Sequence, residues 1–200
     1  WVTLGSQNLL GVGTNLKFYI ENGGFYNDIT PIRATVALAN NPFSTQINST
    51  TVTVTDAAGG YANGAFVTFS GATAVGGLTL NGEYQLTTTG TSTSSYTIQS
   101  ATAATSTAVG GGAAVSAAYQ INPGPAYAVP LSGWGAGAWG AGGWGIGATS
   151  SDALRIWTQN NFGQNLIFGP RGGALYYWDA NTSLTTRGSL LSSVSGASDV

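Results

Sequence analysis

Cysteine, histidine and methionine are absent from this 200-residue sequence, and only 6% of its residues are charged. The lack of cysteine excludes a disulfide framework. Without cysteine or histidine, most zinc sites are also excluded, together with the usual general base and thiolate nucleophile of enzymes. The seven carboxylates are scattered and form no D-x-D-x-D calcium motif. A glycosidase would need the fold to bring two of them within about 5–10 Å. We therefore predict no catalytic residues, no metal, no cofactor and no enzymatic activity.

The shortage of charge also limits the partners. An ordinary soluble domain has about 25% charged residues, so this surface is built from Gly, Ser, Thr, Ala and Asn. That composition is typical of a secreted or repetitive β protein, or of a surface covered by other subunits. The net charge of −2 includes five basic residues and no basic stripe, which argues against sequence-specific nucleic-acid binding. The sequence contains no run of eighteen apolar residues, so it predicts no membrane span.

Helical patterns are scarce as well. Short runs of Val, Ile, Thr, Tyr and Phe recur instead, separated by Gly, Asn and Pro, which is typical of antiparallel β structure. In an N-terminal β segment, residues 1–42, we expect strands over 16–20 and 26–29. Residues 21–24 between them favour a hairpin turn, since their two glycines accept positive φ. The sequence predicts an all-β fold with almost no helix.

Residues 43–119 are threonine-rich and nearly uncharged, and they follow a break at Asn40-Asn41-Pro42. Apolar and polar residues alternate strictly at 51–55 and 66–70. Further strands are expected at 83–87, 95–99 and 114–119. This spacing predicts an inserted small β-sandwich or barrel module.

Residues 120–150 form a connector rich in Pro, Gly and Trp. Trp134, Trp139 and Trp144 recur every five residues on a glycine-rich backbone. That period places the rings on neither one helix face nor one strand face. Such rings either fill a groove of the same fold or anchor a partner chain.

Residues 151–200 return to strand patterns. We expect strands over 153–157, 165–168 and 174–178, with turns at 160–163 and 169–173. A β-meander of this kind is typical of a propeller blade. Since one blade needs neighbours, we expect this chain to be a piece of a longer protein.

The candidate partner contacts are Trp134, Trp139, Trp144, Arg171 and Trp178. Trp178 lies in a predicted strand, where packing in the core is the alternative. Arg171 is the middle one of three arginines spaced sixteen residues apart, with Arg155 and Arg187. Either they are ordinary loop and strand-edge arginines, or their regular spacing places them together to bind a ligand.

Several of these segments resemble tailed-phage virion proteins. The likeness begins with Gly-Thr-Asn-Leu-Lys-Phe-Tyr-Ile at 13–20 and Asp-Ile-Thr-Pro-Ile-Arg at 28–33. It continues at 66–71, 80–84, 133–135, 154–157 and 161–166. Its most specific part is Pro-Arg-Gly-Gly-Ala-Leu-Tyr-Tyr-Trp-Asp at 170–179. Together they make the sequence similar to the tail nozzle or tail-tube-terminal proteins of short-tailed bacteriophages.

The resemblance implies propeller-like blades that flank a β-sandwich insertion. It also implies a virion tail location and a ring of copies, usually a hexamer, in contact with neighbouring tail proteins. Such a ring helps to form or close the DNA exit channel, and its family carries no catalytic residues. Proteins of this kind are much longer than 200 residues. The alternative function is a host-surface or carbohydrate-binding adhesin module of a virion or secreted protein, with exposed aromatic rings stacked on sugars.

Overall fold

A computed structural model describes residues 2–4, 7–57, 62–89, 94–126 and 154–193. These residues form antiparallel strands and one 3-10 turn at Leu191–Ser193, without any α-helix, and among them no helix is long and apolar enough to cross a membrane. The all-β prediction is confirmed. The strands are β1 (Val2–Leu4), β2 (Gln7–Gly13), β3 (Phe18–Asn22), β4 (Phe25–Asp28), β5 (Ile32–Ala37), β6 (Phe43–Thr45), β7 (Thr51–Thr55), β8 (Phe66–Ser70), β9 (Gly82–Thr89), β10 (Ser95–Gln99), β11 (Ala108–Gly110), β12 (Ser116–Gln120), β13 (Trp157–Phe162), β14 (Asn165–Pro170), β15 (Tyr176–Trp178) and β16 (Ser189–Leu190).

The chain divides into two compact units. The first unit combines Trp1–Ile29 with Pro123–Val200, and the second is Thr30–Asn122. The sequence places the limits of an inserted module at 43 and 119. The second unit is wider because β5 pairs along β12. Of the expected connector, residues 127–150 lie outside the described residues.

The second unit is built on one eight-stranded antiparallel sheet. Its order is β11-β6-β7-β10-β9-β8-β12-β5, and in the described chain no pairing of β11 with β5 closes it into a barrel. Strands β6, β7, β8 and β10 bury alternate side chains, as the two-residue period of a strand predicts. In β7, Val52 and Val54 are buried while the three threonines are exposed. The alternation read from the sequence therefore marks the core face.

This sheet folds over onto itself. Phe43 of β6 and Phe69 of β8 are four strands apart in the sheet, which would be about 19 Å in a flat sheet with strands about 4.8 Å apart. Their ring centroids are only 5.1 Å apart, in an edge-to-face arrangement. The two halves therefore enclose one core, as in a sandwich.

A bulge in β9 lies where the sheet changes layer. β9 pairs with β8 through Gly82–Gln85 and with β10 through Leu86–Thr89. The register shifts between Thr97 and Ile98 of β10, so that Thr87 of β9 is the extra residue. Bulges bend a strand and let it pass from one layer to the other.

A polar trio lies inside this core. The hydroxyl of Tyr119 donates to Asp56 Oδ2 at 2.6 Å, and the hydroxyl of Tyr96 lies 2.6 Å from that of Tyr119. All three residues are buried. Since a buried carboxylate without hydrogen bonds is strongly unfavourable, the trio holds β10 and β12 in one arrangement.

The first unit is a sandwich of two four-stranded sheets, β1-β2-β3-β4 and β13-β14-β15-β16. Phe18 of β3 stacks on Phe168 of β14 with centroids 4.4 Å apart, and Trp157 of β13 lies 5.0 Å from Phe18. The second sheet is a four-stranded meander, in which β14 and β15 overlap the strands expected at 165–168 and 174–178, whereas the strand expected at 153–157 is wrong because β13 runs from Trp157 to Phe162. The predicted turn at 160–163 is misplaced, however, because β13 continues to Phe162 and the turn follows at Gly163 and Gln164.

Two glycines of β2 allow the sheets of this sandwich to approach closely. A Cβ on Gly13 would collide with the indole ring of Trp157 and lie 2.9 Å from its Cβ. A Cβ on Gly11 would meet Gln159 Oε1. Both partners then bond to the backbone they approach: Trp157 Nε1 donates to Thr14 O at 2.7 Å, and Gln159 Nε2 to Gly11 O at 3.1 Å.

Three charged groups tie the N- and C-terminal parts of the first unit together. Lys17 Nζ lies 2.8 Å from Asp28 Oδ2, and Arg187 Nη1 lies 2.6 Å from Asp28 Oδ1. Lys17 is buried and Asp28 is largely so. The amide of Gly188 also donates to Ile29 O at 2.9 Å.

The glycines of β2 give the first prediction. We expect Gly13→Ala to lower the free energy of unfolding of the first unit by about 1–3 kcal/mol, the usual cost of overpacking. Gly11→Ala is the matched control and should cost less, because the end of the Gln159 side chain can move. The second unit, Thr30–Asn122, contains no tryptophan, so urea unfolding followed by tryptophan fluorescence measures the first unit. Equal costs for both variants would contradict the close-approach argument.

The polar trio gives the second prediction. Tyr119→Phe removes both hydrogen bonds and leaves Asp56 with one donor fewer, so we expect a loss of about 2 kcal/mol. Tyr96→Phe leaves the bond between Tyr119 and Asp56 in place and should cost about half as much. Hydrogen exchange of the β10 and β12 amides reports on this unit. A larger effect of Tyr96→Phe would overturn the proposed order of donation.

Candidate functional site

Three of the predicted partner contacts cannot be placed. Trp134, Trp139 and Trp144 lie outside the described residues. Their role at an interface therefore stays a prediction.

The other two predicted contacts occupy different surroundings. Arg171 is exposed in the turn between β14 and β15, where its amide donates to Ile156 O at 2.8 Å. Trp178 is only 2% exposed and lies on the inner face of β15, paired with Leu166. The indole of Trp178 is thus part of the core of the first unit. Core packing was the alternative to a partner contact for this residue, because it lies in a strand.

The three evenly spaced arginines have separate partners. Arg155 lies over the ring of Trp157 at 5.7 Å, and Arg187 pairs with Asp28. Burial lowers the pKa of Arg155, and the nearby Tyr176 raises it in turn. With Arg171 in an exposed turn, the described contacts favour ordinary structural arginines over a shared ligand register.

The edge strands carry a first candidate surface. Four of the six strands at sheet edges expose large apolar side chains, with exposed fractions of 77% for Phe25 and 70% for Val109. Natural proteins usually protect such edges with charged residues or proline. Three of these four strands, β11, β13 and β16, contain no charged residue. The exposed side chains are Phe25 and Tyr26 on β4, Val109 on β11, Phe162 on β13 and Leu190 on β16.

A polar depression on the outer face of the last sheet is a second candidate. It has a volume of about 270 Å³, close to the lower limit of small-molecule sites. We call it the hydroxyl groove, and it is lined by Tyr177, Asp179, Thr182, Thr186, Arg187, Ser189 and Ser193.

The meander positions the lining of the hydroxyl groove. Tyr177 of β15 pairs with Ser189 of β16, and alternation directs both side chains away from the core that holds Tyr176 and Trp178. The chain then turns at Asp179, whose Oδ1 accepts from the amide of Asn181 at 2.9 Å.

Some polar groups of the hydroxyl groove are engaged by the fold, and others are available. The hydroxyls of Thr182 and Ser193 donate to backbone carbonyls at 2.6 Å. The hydroxyls of Thr186 and Ser189 and the second carboxylate oxygen of Asp179 have no hydrogen-bond partner in the described part of the chain. Available donors and acceptors beside an aromatic ring are what a polar ligand needs.

The hydroxyl of Tyr177 is held in place by Asn165, whose Nδ2 donates to it at 2.5 Å. Desolvation by burial raises the pKa of Tyr177, and the negative charge of Asp179 raises it further. The two side chains are therefore close enough to interact electrostatically.

No motif in the amino-acid sequence indicates this groove. Its residues follow the Tyr-Tyr-Trp-Asp run in a stretch rich in Ser and Thr, and such stretches recur throughout the chain. Among the residues that the structure describes, no group of three His, Cys, Asp or Glu could hold a metal ion.

Comparisons with known proteins assign no family. No protein-family model matches the chain, and no curated protein does. Among solved structures, the chain is similar to the phage phi92 endosialidase, with 14% identity and a TM-score of 0.39. The match covers 92% of this chain and 29% of that one, so the chain spans less than a third of the endosialidase's length. At that TM-score, the likeness assigns neither a fold family nor an activity.

The hydroxyl groove gives the third prediction. We expect Asp179→Asn to lower the pKa of Tyr177 but to leave it above the ordinary value, because the side chain stays desolvated by burial. A raised tyrosine pKa stabilises the fold below the unfolded-state pKa of about 10, and this contribution is lost as the pH rises through the folded pKa. The titration is followed by the Cζ chemical shift of Tyr177, which Tyr177→Phe identifies. An unchanged pKa in Asp179→Asn would show that the two groups are not in contact.

Proposed function

We propose that this chain is a structural subunit of a bacteriophage tail that associates with other copies of itself in a ring. In this proposal the ring is a nozzle-like or tube-like component of the virion, in contact with neighbouring tail proteins, and it helps to form or close the DNA exit channel. The role is structural and includes no catalytic step. The sequence resemblance to tail nozzle proteins suggests the kind of assembly, which in those proteins is usually a hexamer.

The observation that carries the proposal is the exposure of apolar side chains on uncharged edge strands. Apolar side chains stand exposed on edges that lack protecting charges, notably Val109 on β11 and Phe162 on β13. Exposed edges of this kind pair readily with another chain. In a ring, each copy can cover such an edge on its neighbour.

The charge of the chain supports the same role. With twelve charged residues in 200, copies can approach without strong like-charge repulsion. A wall with few basic residues also suits a conduit, since DNA that is held by many lysines and arginines binds tightly and would not slide past.

The topology of the first unit supports the blade arrangement that the resemblance implies. β13 to β16 form a four-stranded antiparallel meander, the arrangement of a propeller blade. In this proposal the first unit supplies blade-like sheets and the second unit is the β-sandwich insertion.

The second candidate function is an adhesin module that recognises host-surface carbohydrate. The hydroxyl groove favours it, because a tyrosine ring and available hydroxyls face the groove.

The oligomeric state tests the structural proposal and gives the fourth prediction. Light scattering after size exclusion, together with native mass spectrometry, should show a concentration-dependent oligomer of the full chain. We expect the double variant Val109→Lys with Phe162→Lys to weaken association by about tenfold or more, since each lysine places a charge on an apolar edge.

The matched control adds the same charge away from the edges. Thr53→Lys with Thr102→Lys changes two exposed threonines outside the edge strands and should leave association within about twofold of the original. A chain that stays monomeric at all concentrations, or equal weakening by both double variants, would count against assembly through these edges.

A further inference from the structure

The hydroxyl groove combines three features that select a ligand. It holds an aromatic ring, hydroxyls without partners and a carboxylate oxygen without a partner, within a volume of about 270 Å³. Each feature limits the chemistry of what can bind.

The ring of Tyr177 favours a ligand with a flat apolar face. Tyr177 is half-buried, and its hydroxyl is bound to Asn165, so the orientation of the ring is fixed before a ligand arrives. A fixed aromatic ring contributes contact area at a low cost in conformational entropy. The face of a pyranose ring that carries axial C–H bonds is such an apolar face.

The available polar atoms favour a ligand that is rich in hydroxyls. The hydroxyls of Thr186 and Ser189 can each donate and accept, and the free oxygen of Asp179 can only accept. A polyol both donates and accepts, so it can satisfy all three groups at once. A purely apolar ligand would leave them buried without partners, which is unfavourable.

The charges around the groove favour a neutral ligand. The cation that lines it, Arg187, is bound to Asp28 at 2.6 Å, and Asp28 also binds Lys17. Together with Asp179, these are two positive and two negative groups, so their sum is zero. The groove therefore has no net charge that would attract an anionic or a cationic ligand at long range.

We infer that the hydroxyl groove is a binding site for a neutral glycan, with one pyranose ring stacked on Tyr177. The free carboxylate oxygen of Asp179 accepts hydrogen bonds from one or two hydroxyls of the sugar, and Thr186 and Ser189 bind its other hydroxyls. The inference does not depend on the ring-forming role, although it would supply the ligand class of the adhesin function.

The test uses the full chain and defined sugars. Saturation-transfer NMR is recorded with the methyl glycosides of glucose, galactose and N-acetylglucosamine, and with N-acetylneuraminic acid as an anionic comparator. We expect millimolar binding of at least one neutral glycoside, the usual strength for a ligand with few non-hydrogen atoms. The anionic sugar should bind more weakly.

Variants then assign the binding to the groove. Tyr177→Ala should weaken it by about tenfold or more, while Tyr177→Phe, which keeps the ring, should retain most of it. Thr186→Val with Ser189→Ala removes only hydroxyls that the fold does not use and should weaken binding by about fivefold for each lost hydrogen bond. This double variant keeps the test valid if Tyr177→Ala fails to fold. Thr158→Val, on the outer face of β13 and outside the groove, should change nothing.

Three outcomes would overturn the inference: no saturation transfer to any neutral glycoside at tens of millimolar, binding that survives loss of the Thr186 and Ser189 hydroxyls unchanged, or a preference for N-acetylneuraminic acid. The groove variants should leave the oligomeric state unchanged. Loss of sugar binding with intact assembly, or the reverse, therefore separates failure of this inference from failure of the structural proposal.

Discussion

The stacking of Phe18 on Phe168 is the contact on which the first unit depends. It joins residues that are 150 positions apart in the chain, at a centroid distance of 4.4 Å. Each of the two sheets has one apolar face, and neither could bury that face alone. The hydrogen bond from Trp157 to Thr14 and the ion pair between Arg187 and Asp28 reinforce the same joint. That ion pair also fixes one wall of the hydroxyl groove, so the site depends on the joint as well.

Such a joint requires the intervening chain to leave and return at nearby points. The second unit meets this requirement because its first and last strands, β5 and β12, are neighbours. Beyond them the amide of Ile121 donates to Pro31 O at 3.1 Å. A module whose ends lie side by side can be inserted without displacing the strands that flank it. Its own core, folded at the bulge of β9, is closed within the unit.

Local patterns predicted what depends on neighbours in sequence. Strict alternation located β7 and β8, and the paired glycines located the turn at Gly23 and Gly24, whose φ angles are 61° and 91°. The β13 turn was misplaced because two asparagines, poor strand formers, are held in the strand by pairing with β14. The order of the eight-stranded sheet and the hydroxyl groove depend on contacts between distant segments. No local pattern encodes those contacts, so the groove could not be predicted.

The threonine-rich surface reconciles a stable sheet with a low charge. A threonine on an outward strand position has high β-propensity and adds no net charge, as on β7, where it alternates with buried valines. Lysine or glutamate on the edge strands would protect the edges but would also make copies of the chain repel one another there. A protein that remains alone gains from that repulsion, whereas a subunit that must meet its own copies does not. This composition fits the proposed assembly, in which the edges of each copy are covered by its neighbour.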